Sequence, residues 1–310
     1  MKRIIPILLA ALLLLSGCFG GSLNTWLISM NAHVSISAWG KDSAKMLQTI
    51  ETLMEDLENT WTTWDTDSVI SMLNRGEKVE LTQAQQELLK QAEELSVRTG
   101  GAFDPKLLKV LQAWGFRDGV GTVPSQAQLE AALADRQWDL NGVMQGYAMD
   151  LILQEAEKLQ LERMILVMDG NVLTYGKKED GPWKVGIKDP TDKDINLAIA
   201  KIEGTMTIHS TADSGKYFEQ DGEYYHHIMD PATGMPAESD LKQVAVFCKS
   251  GITADALSTA LYVMGLEKAT QFWRESDDFE AIFVTRDGKI LATEGLELIE
   301  CEFEVIKRGQ

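Results

Sequence analysis

Helical and strand patterns are unevenly divided along this chain, and that division constrains its fold more than any other feature. Apolar residues at three- and four-residue steps dominate from about 43 to 159, and short β-rich runs dominate beyond 164. Met46, Leu47, Ile50, Leu53, Met54 and Leu57 form one amphipathic face. A short helix is predicted over 68–74. Another runs over 81–98, with Thr82 as N-cap and Thr99-Gly100-Gly101 closing it. Asp104-Pro105 is expected to cap a helix through Trp114, Ser125 to start one more, and Val143 to open the last of this half. Alternation of Val34, Ile36 and Ala38 against His33, Ser35 and Ser37 predicts a strand over 26–39. Further strands are predicted over 164–168, 172–175, 183–187, 195–208, 242–248, 281–284 and 289–292, interrupted by helices over 253–264 and 267–274. Strands and helices do not alternate regularly, so the expected class is α+β, with mixed, largely antiparallel β-structure, rather than a doubly wound parallel sheet.

The N-terminus predicts an address. Lys2 and Arg3 precede an apolar run, 4–15, that is too short for a comfortable mature membrane span and reads as a signal peptide. Leu15-Ser16-Gly17-Cys18 follows and resembles a bacterial lipobox. The expected organisation is a lipoprotein signal peptide over 1–17, a tether over 18–25 and one domain over 26–310. The mature chain would be lipid-anchored through Cys18 on the periplasmic or extracytoplasmic face of a bacterial membrane. An ordinary secretory signal with an incidental cysteine is the plainer alternative. Cys248 and Cys301 read as buried thiols, with a disulfide allowed in that compartment. A net charge of −18 argues against a nucleic-acid partner. It also means that a phosphate-bearing substrate would need a local cation.

Asp255 and Thr259 stand four residues apart in an apolar helix, so they share a face, and their oxygens suit Mg²⁺. The plainer alternative makes Asp255 a helix N-terminal residue favoured by the dipole, with Thr253 as cap. His226 and His227 precede Asp230-Pro231 and Thr233-Gly234, which places His227 at the lip of a turn; a surface histidine is the ordinary alternative. Thr99-Gly100-Gly101-Ala102-Phe103-Asp104-Pro105 permits close backbone approach, with Phe103 as a stacking surface, or is simply a helix junction. Residues 139–147 place amides at a helix start, which suits an anion. Asp169-Gly170 reads as a hairpin turn. Trp61 and Trp64 are either core or flanks for a flat aromatic ligand.

In order and spacing, this series resembles the ApbE family, the FAD:protein FMN transferases: Thr-Gly-Gly-Ala-Phe-Asp-Pro, Asp-Leu-x-Gly-x-x-x-Gly-Tyr-Ala-x-Asp, Asp-Gly-Asn, His-His-Ile-x-Asp-Pro-x-Thr-Gly-x-Pro and Ala-Asp-Ala-Leu-x-Thr-Ala-Leu. The resemblance implies one α+β unit with FAD in a cleft between subdomains. It implies Mg²⁺-dependent transfer of FMN from FAD to a Thr or Ser hydroxyl of an exported acceptor protein, such as a redox subunit, with release of AMP. Carried over, Asp255, Thr259 and a backbone carbonyl near Met144 are the metal ligands, and His227 is the catalytic histidine. Trp64 faces the isoalloxazine, and Met30, Gly101, Ala102, Phe103, Asp104, Gln145, Tyr147, Asp169 and Asp230 fall at flavin-pocket positions. The chain departs from the family pattern at Asn31-Ala32, Asn141, Asp169 and Gln145, where the family has Gly-Thr, often Gly, Gly and Lys or another polar residue, and at Val69 and Ser210-Thr211-Ala212, where an acidic residue is common and Thr-Ser-Gly is usual. An FAD pyrophosphatase yielding FMN and AMP, and a non-catalytic flavin-binding lipoprotein, remain as alternatives.

Overall fold

The computed structural model describes residues 22–117, 119–192 and 194–309. The signal peptide over 1–17 and the lipidated Cys18 lie outside the described residues. Near the N-terminus a hairpin of β1 (Leu23–Ser29) and β2 (Ala32–Trp39) takes the place of the single strand expected over 26–39. Met30 and Asn31 form its two-residue turn with φ of 52° and 57°, the left-handed region that such turns require. The strand begins at Leu23, inside the stretch read as tether.

Four helices follow: α1 (Ser43–Trp61), α2 (Val69–Asn74), α3 (Gln83–Arg98) and α4 (Leu108–Ala113). Then come α5 (Gln126–Ala134) and α6 (Met144–Lys158). Capping boxes at Thr82/Gln85 and Ser125/Gln128 start α3 and α5, and Ser68 caps α2. Asp104 does not cap α4. Its carboxylate accepts from the Lys106 amide and pairs with Arg136, and the helix begins later, at Leu108.

The strands after α6 are β3 (Arg163–Met168), β4 (Asn171–Tyr175), β5 (Trp183–Lys188), β6 (Asn196–Ile202), β7 (Met206–Ala212), β8 (Tyr217–Gln220) and β9 (Glu223–His226). After β10 (Leu241–Cys248) come α7 (Gly251–Arg274), β11 (Phe279–Thr285), β12 (Ile290–Thr293), β13 (Glu297–Ile299) and β14 (Glu304–Ile306). The run expected as one strand over 195–208 is therefore two. Gly204, at φ 78°, turns the chain between β6 and β7, which enter different sheets. Within α7 the helical course breaks at Gly265, which divides it much as the sequence predicts.

Nine strands form the main sheet in the order β1-β2-β3-β4-β7-β10-β11-β12-β14, antiparallel except for β12 with β14. One face carries helices. Met46, Ile50 and Met54 of α1 and Met149 and Ile152 of α6 pack on Val34, Ile36 and Leu166, while α7 packs on Val244 and Val246. The small sheet β13-β6-β5 covers part of the other face through Trp183, Val185 and Ala200 against Ala245 and Phe247. The central strand β10 is thus apolar on both sides, as a strand between two layers must be.

Helices α6 and α7 cross at two glycines. A Cβ on Gly146 would lie 2.1 Å from the Gly251 carbonyl oxygen, and one on Gly251 would lie 2.3 Å from that of Gly146. Gly146→Ala is therefore expected to destabilise the protein by about 1–3 kcal/mol through forced separation of the helices. Gly309→Ala, whose Cβ meets nothing within 4 Å, should be near neutral. Urea unfolding of the two variants checks the difference.

Candidate active site

The α6–α7 crossing builds the centre of the site. With no side chain at Gly146, its N–H donates to Asp255 Oδ2 at 2.9 Å. The start of α7 is fixed by Asp150 of α6, whose carboxylate accepts from the Gly251 and Ile252 amides at 2.5 and 2.9 Å. Burial pushes the Asp150 pKa up, and the two amides and His209 oppose that shift. Ser250, rather than Thr253, is the N-cap, accepting from Thr253 N–H. Asp255 is thus not a free dipole-compensating residue, since its carboxylate is aimed at α6. Asp255 and Thr259 are half-buried on a helix whose flanking residues Ala254, Ala256, Leu257 and Ala260 are buried.

Strand β7 closes the other side. Thr211 Oγ1 lies 3.3 Å from Thr259 Oγ1 and 2.7 Å from Ser258 Oγ. His209 Nδ1 lies 3.5 Å from Asp255 Oδ1, and its Nε2 is buried without a partner among the described residues. Sequence reasoning missed His209, and met Thr211 only as part of Ser210-Thr211-Ala212, a departure from the family's Thr-Ser-Gly, without giving it a role. Thr211 and His209 occupy alternate positions of a strand, a spacing that puts them on one face, but nothing local says which face meets α7. Asn171, opening β4, accepts from the Ser210 amide at 2.9 Å and donates to Gln145 Oε1 at 2.8 Å, so the Asp169-Gly170 hairpin orients Gln145 at the start of α6. Asp169 itself accepts from the His33 amide. Met144 opens α6 one residue earlier, with its side chain buried.

Beyond Thr211 the chain turns, and four residues later Gly215 lies against the His227 ring, 3.5 Å from an added Cβ. A four-residue stretch spans at most about 14 Å, which bounds the distance from Thr211 to that turn. The His227 amide and Nδ1 both face the Lys216 carbonyl at 3.1 Å. With Nδ1–H donating there, Nε2 carries the free lone pair. Burial chiefly holds the His227 pKa down to about 4, with the Lys216 and Arg117 charges acting in the same direction and the Lys216 carbonyl opposing. His226, ending β9, points elsewhere and packs edge-on against Tyr262. Tyr262 Oη donates to Asp213 Oδ2 at 3.2 Å, and Arg286 pairs with the same carboxylate at 3.0 Å. Asp213 lies in the turn that leads to Gly215, so α7 and the histidine turn share one buried anchor.

The remaining predicted residues divide. Met30, Ala102, Phe103, Met144 and Tyr147 pack into one cluster with Trp61, Val143 and Ile252. Phe103 offers no stacking surface: it is 3 % exposed, and its ring lies against Gly142, where a Cβ would approach to 3.1 Å. Burial raises the Tyr147 pKa. Gly101 has φ 84° and donates to the Ser96 carbonyl, so it closes α3. Trp64 is 65 % exposed in the loop after α1, open to a flat ligand. Asp230 serves its own turn, accepting from Ala232 N–H and Thr233 Oγ1. Cys248 and Cys301 are unpaired among the described residues; Cys248 is buried as expected, but Cys301, in the bend after β13, is only half-buried.

An α+β chain with a half-buried carboxylate–hydroxyl pair against β7, and a histidine on the turn that follows that strand, fits a class of enzymes that transfer phosphate-linked groups. Comparison with known proteins narrows the class. The sequence model of the ApbE family matches residues 30–283, and the chain belongs to that family. The FAD:protein FMN transferase of Treponema pallidum (strain Nichols) is 27% identical over 288 residues, 81% of this chain and 80% of that protein. The Escherichia coli (strain K12) FAD:protein FMN transferase is 27% identical over 286 residues, 82% and 80%. The crystal structure of the ApbE protein of Thermotoga maritima superposes with a TM-score of 0.81 at 27% identity, covering 88% of this chain and 97% of that one. The apo form of the Pseudomonas stutzeri flavinyl transferase ApbE gives 0.78 at 27%, covering 90% and 97%.

His227 also predicts a pH effect. Its folded pKa lies below the ordinary value of 6.5, so the unfolded chain binds the extra proton first. Stability from this group is present above pH 6.5 and is lost as pH falls towards 4. His227→Gln should flatten that part of the stability curve, measured as the urea midpoint across the same window.

Proposed function

We propose that this chain is an Mg²⁺-dependent FAD:protein FMN transferase, moving FMN from FAD onto a Thr or Ser hydroxyl of an exported acceptor protein with release of AMP. The observation that carries this reading is the pairing of Asp255 and Thr259 on the half-buried side of α7, against Thr211 of the strand that leads to the His227 turn. Family membership supports it, and the relatives named above carry that activity in their names.

The donor set fits the cation. Asp255, Thr259 and Thr211 offer oxygen. Among the described residues no three His, Cys, Asp or Glu side chains gather into a self-sufficient metal site. A cation held here completes its shell with water and substrate phosphate, the habit of Mg²⁺ rather than of zinc. Asp255 and Thr259 would hold it with the Met144 peptide nearby, and it would neutralise charge on the pyrophosphate.

The chain's own residues account for the rest. The acceptor hydroxyl attacks the FMN-side phosphorus of FAD, its proton passes to His227 Nε2, and the phosphorus–oxygen bond to AMP breaks. A histidine held neutral at working pH is available for that proton. Exposed Trp64 provides a face for the flavin, and Met30, Tyr147 and Gln145 stand beside the α6 turn that would meet the phosphates. Cys18 would be lipidated, placing the domain outside the cytoplasmic membrane. Among the described residues no helix is long and apolar enough to cross a membrane.

Mass spectrometry of a co-expressed acceptor tests the proposal. A gain of one FMN is expected, abolished by chelation and restored by Mg²⁺. Asp255→Ala and His227→Ala should each lower the rate by roughly 10²–10⁴-fold. FMN and AMP formed without any acceptor would instead identify a pyrophosphatase, and full transfer by Asp255→Ala would refute the site.

A further inference from the structure

The β1–β2 hairpin is unlike the rest of the molecule in its charge. Charged residues make up 25% of the chain, yet none occurs between Leu23 and Gly40. β1 is an edge of the main sheet, and natural edge strands are usually blunted by charge, proline or cover. Here Asn24, Trp26 and Ile28 point away from the helices, opposite Ser37, Ser35 and His33 of β2. Trp26 is 63 % exposed and Ile28 is 64 % exposed. The small sheet packs against Trp39, Ile165 and Val167 on this side, leaving Trp26 beside a shallow hollow formed with His33, Ser35, Val167 and Asp169. A seven-residue edge strand with no charged side chain, which holds Trp26 and Ile28 out to solvent, lacks the usual protection of an edge and is open to a partner.

We propose that this face rests on the lipid surface that holds Cys18. The proposal builds on the lipoprotein reading. Four residues, Phe19 to Ser22, separate Cys18 from Leu23. Even fully extended, the step from Cys18 to Leu23 spans about 18 Å at most, so a lipidated Cys18 brings β1 to the headgroup layer. Tryptophan beside an aliphatic residue is the chemistry favoured at that boundary. The chain carries a net charge of −18, and an anionic bilayer would repel most of its surface; the β1–β2 strands bear no carboxylate of their own, and Asp169 at the rim of the hollow accepts from the His33 amide, so this is the part that can approach. A protein partner would more typically be met by a charged rim, and the hairpin supplies no Asp, Glu, Lys or Arg for one; its polar side chains on this face are Asn24, Ser35, Ser37 and His33. In this pose the α6–α7 centre lies on the opposite, helix-covered side of the sheet, facing away from the bilayer.

The test uses the full chain expressed in bacteria and reconstituted in phosphatidylethanolamine–phosphatidylglycerol vesicles brominated at a shallow acyl position. The mass of the N-terminal peptide is measured on the same sample. Bromolipid should quench tryptophan fluorescence, and Trp26→Phe should remove at least half of that quenching. Equal quenching in Trp26→Phe, with Cys18 lipidated, would overturn the seating alone. A peptide mass without lipid would overturn the lipoprotein reading and the seating with it. A detergent-solubilised dimer that Ile28→Ser dissociates would assign the face to a second copy instead, which also overturns the proposal.

Discussion

The structure depends on the approach of two helices through bare backbone. Gly146 and Gly251 bring α6 and α7 so close that neither tolerates a methyl group without movement. Each helix then satisfies groups the other leaves open. Asp150 of α6 takes the first free amides of α7, and Asp255 of α7 takes the Gly146 amide of α6. Helix termini otherwise present unsatisfied donors, so this exchange stabilises the crossing and also aims a carboxylate at it. Any longer side chain at either glycine would move Asp255 away from the Gly146 amide that it faces.

The second constraint is the path of β7. This strand pairs with β4 on one side and β10 on the other, so its position is set by the middle of the sheet. His209 and Thr211 project from it towards α7, and its exit turn brings Gly215 and Lys216 to His227. Asp213, in the same turn, is tied to Tyr262 of α7 and to Arg286. The histidine and the oxygen pair therefore sit on elements held by a common strand and a common helix, which is how a site keeps its geometry.

Much of this was legible in the sequence because local rules and tertiary needs agreed. The apolar stripe of α1, the helix starts at Thr82 and Ser125, and the Asp169-Gly170 hairpin follow from residue chemistry alone. So does the shared face of Asp255 and Thr259. The misreadings have physical reasons. Apolar character continues across Gly204, so β6 and β7 looked like one strand although they join different sheets. Met30-Asn31 lacks a glycine to mark the turn between β1 and β2. Phe103 is buried because Gly142, distant in sequence, leaves room for its ring. Asp221-Gly222 does carry the hairpin signal for β8 and β9, with φ of 55° and 84°. The contacts of His209 depend on sheet order, which no local pattern encodes.

The central claim is that Asp255 and Thr259 grip one divalent cation where α6 meets α7. Electron paramagnetic resonance of Mn²⁺, standing in for Mg²⁺ and titrated in the presence of FAD, tests it without relying on turnover. The account predicts a single site per chain whose affinity falls at least about tenfold, roughly 1.4 kcal/mol, in both Asp255→Asn and Thr259→Val. Unchanged affinity in those two variants, with the fold intact, would contradict it.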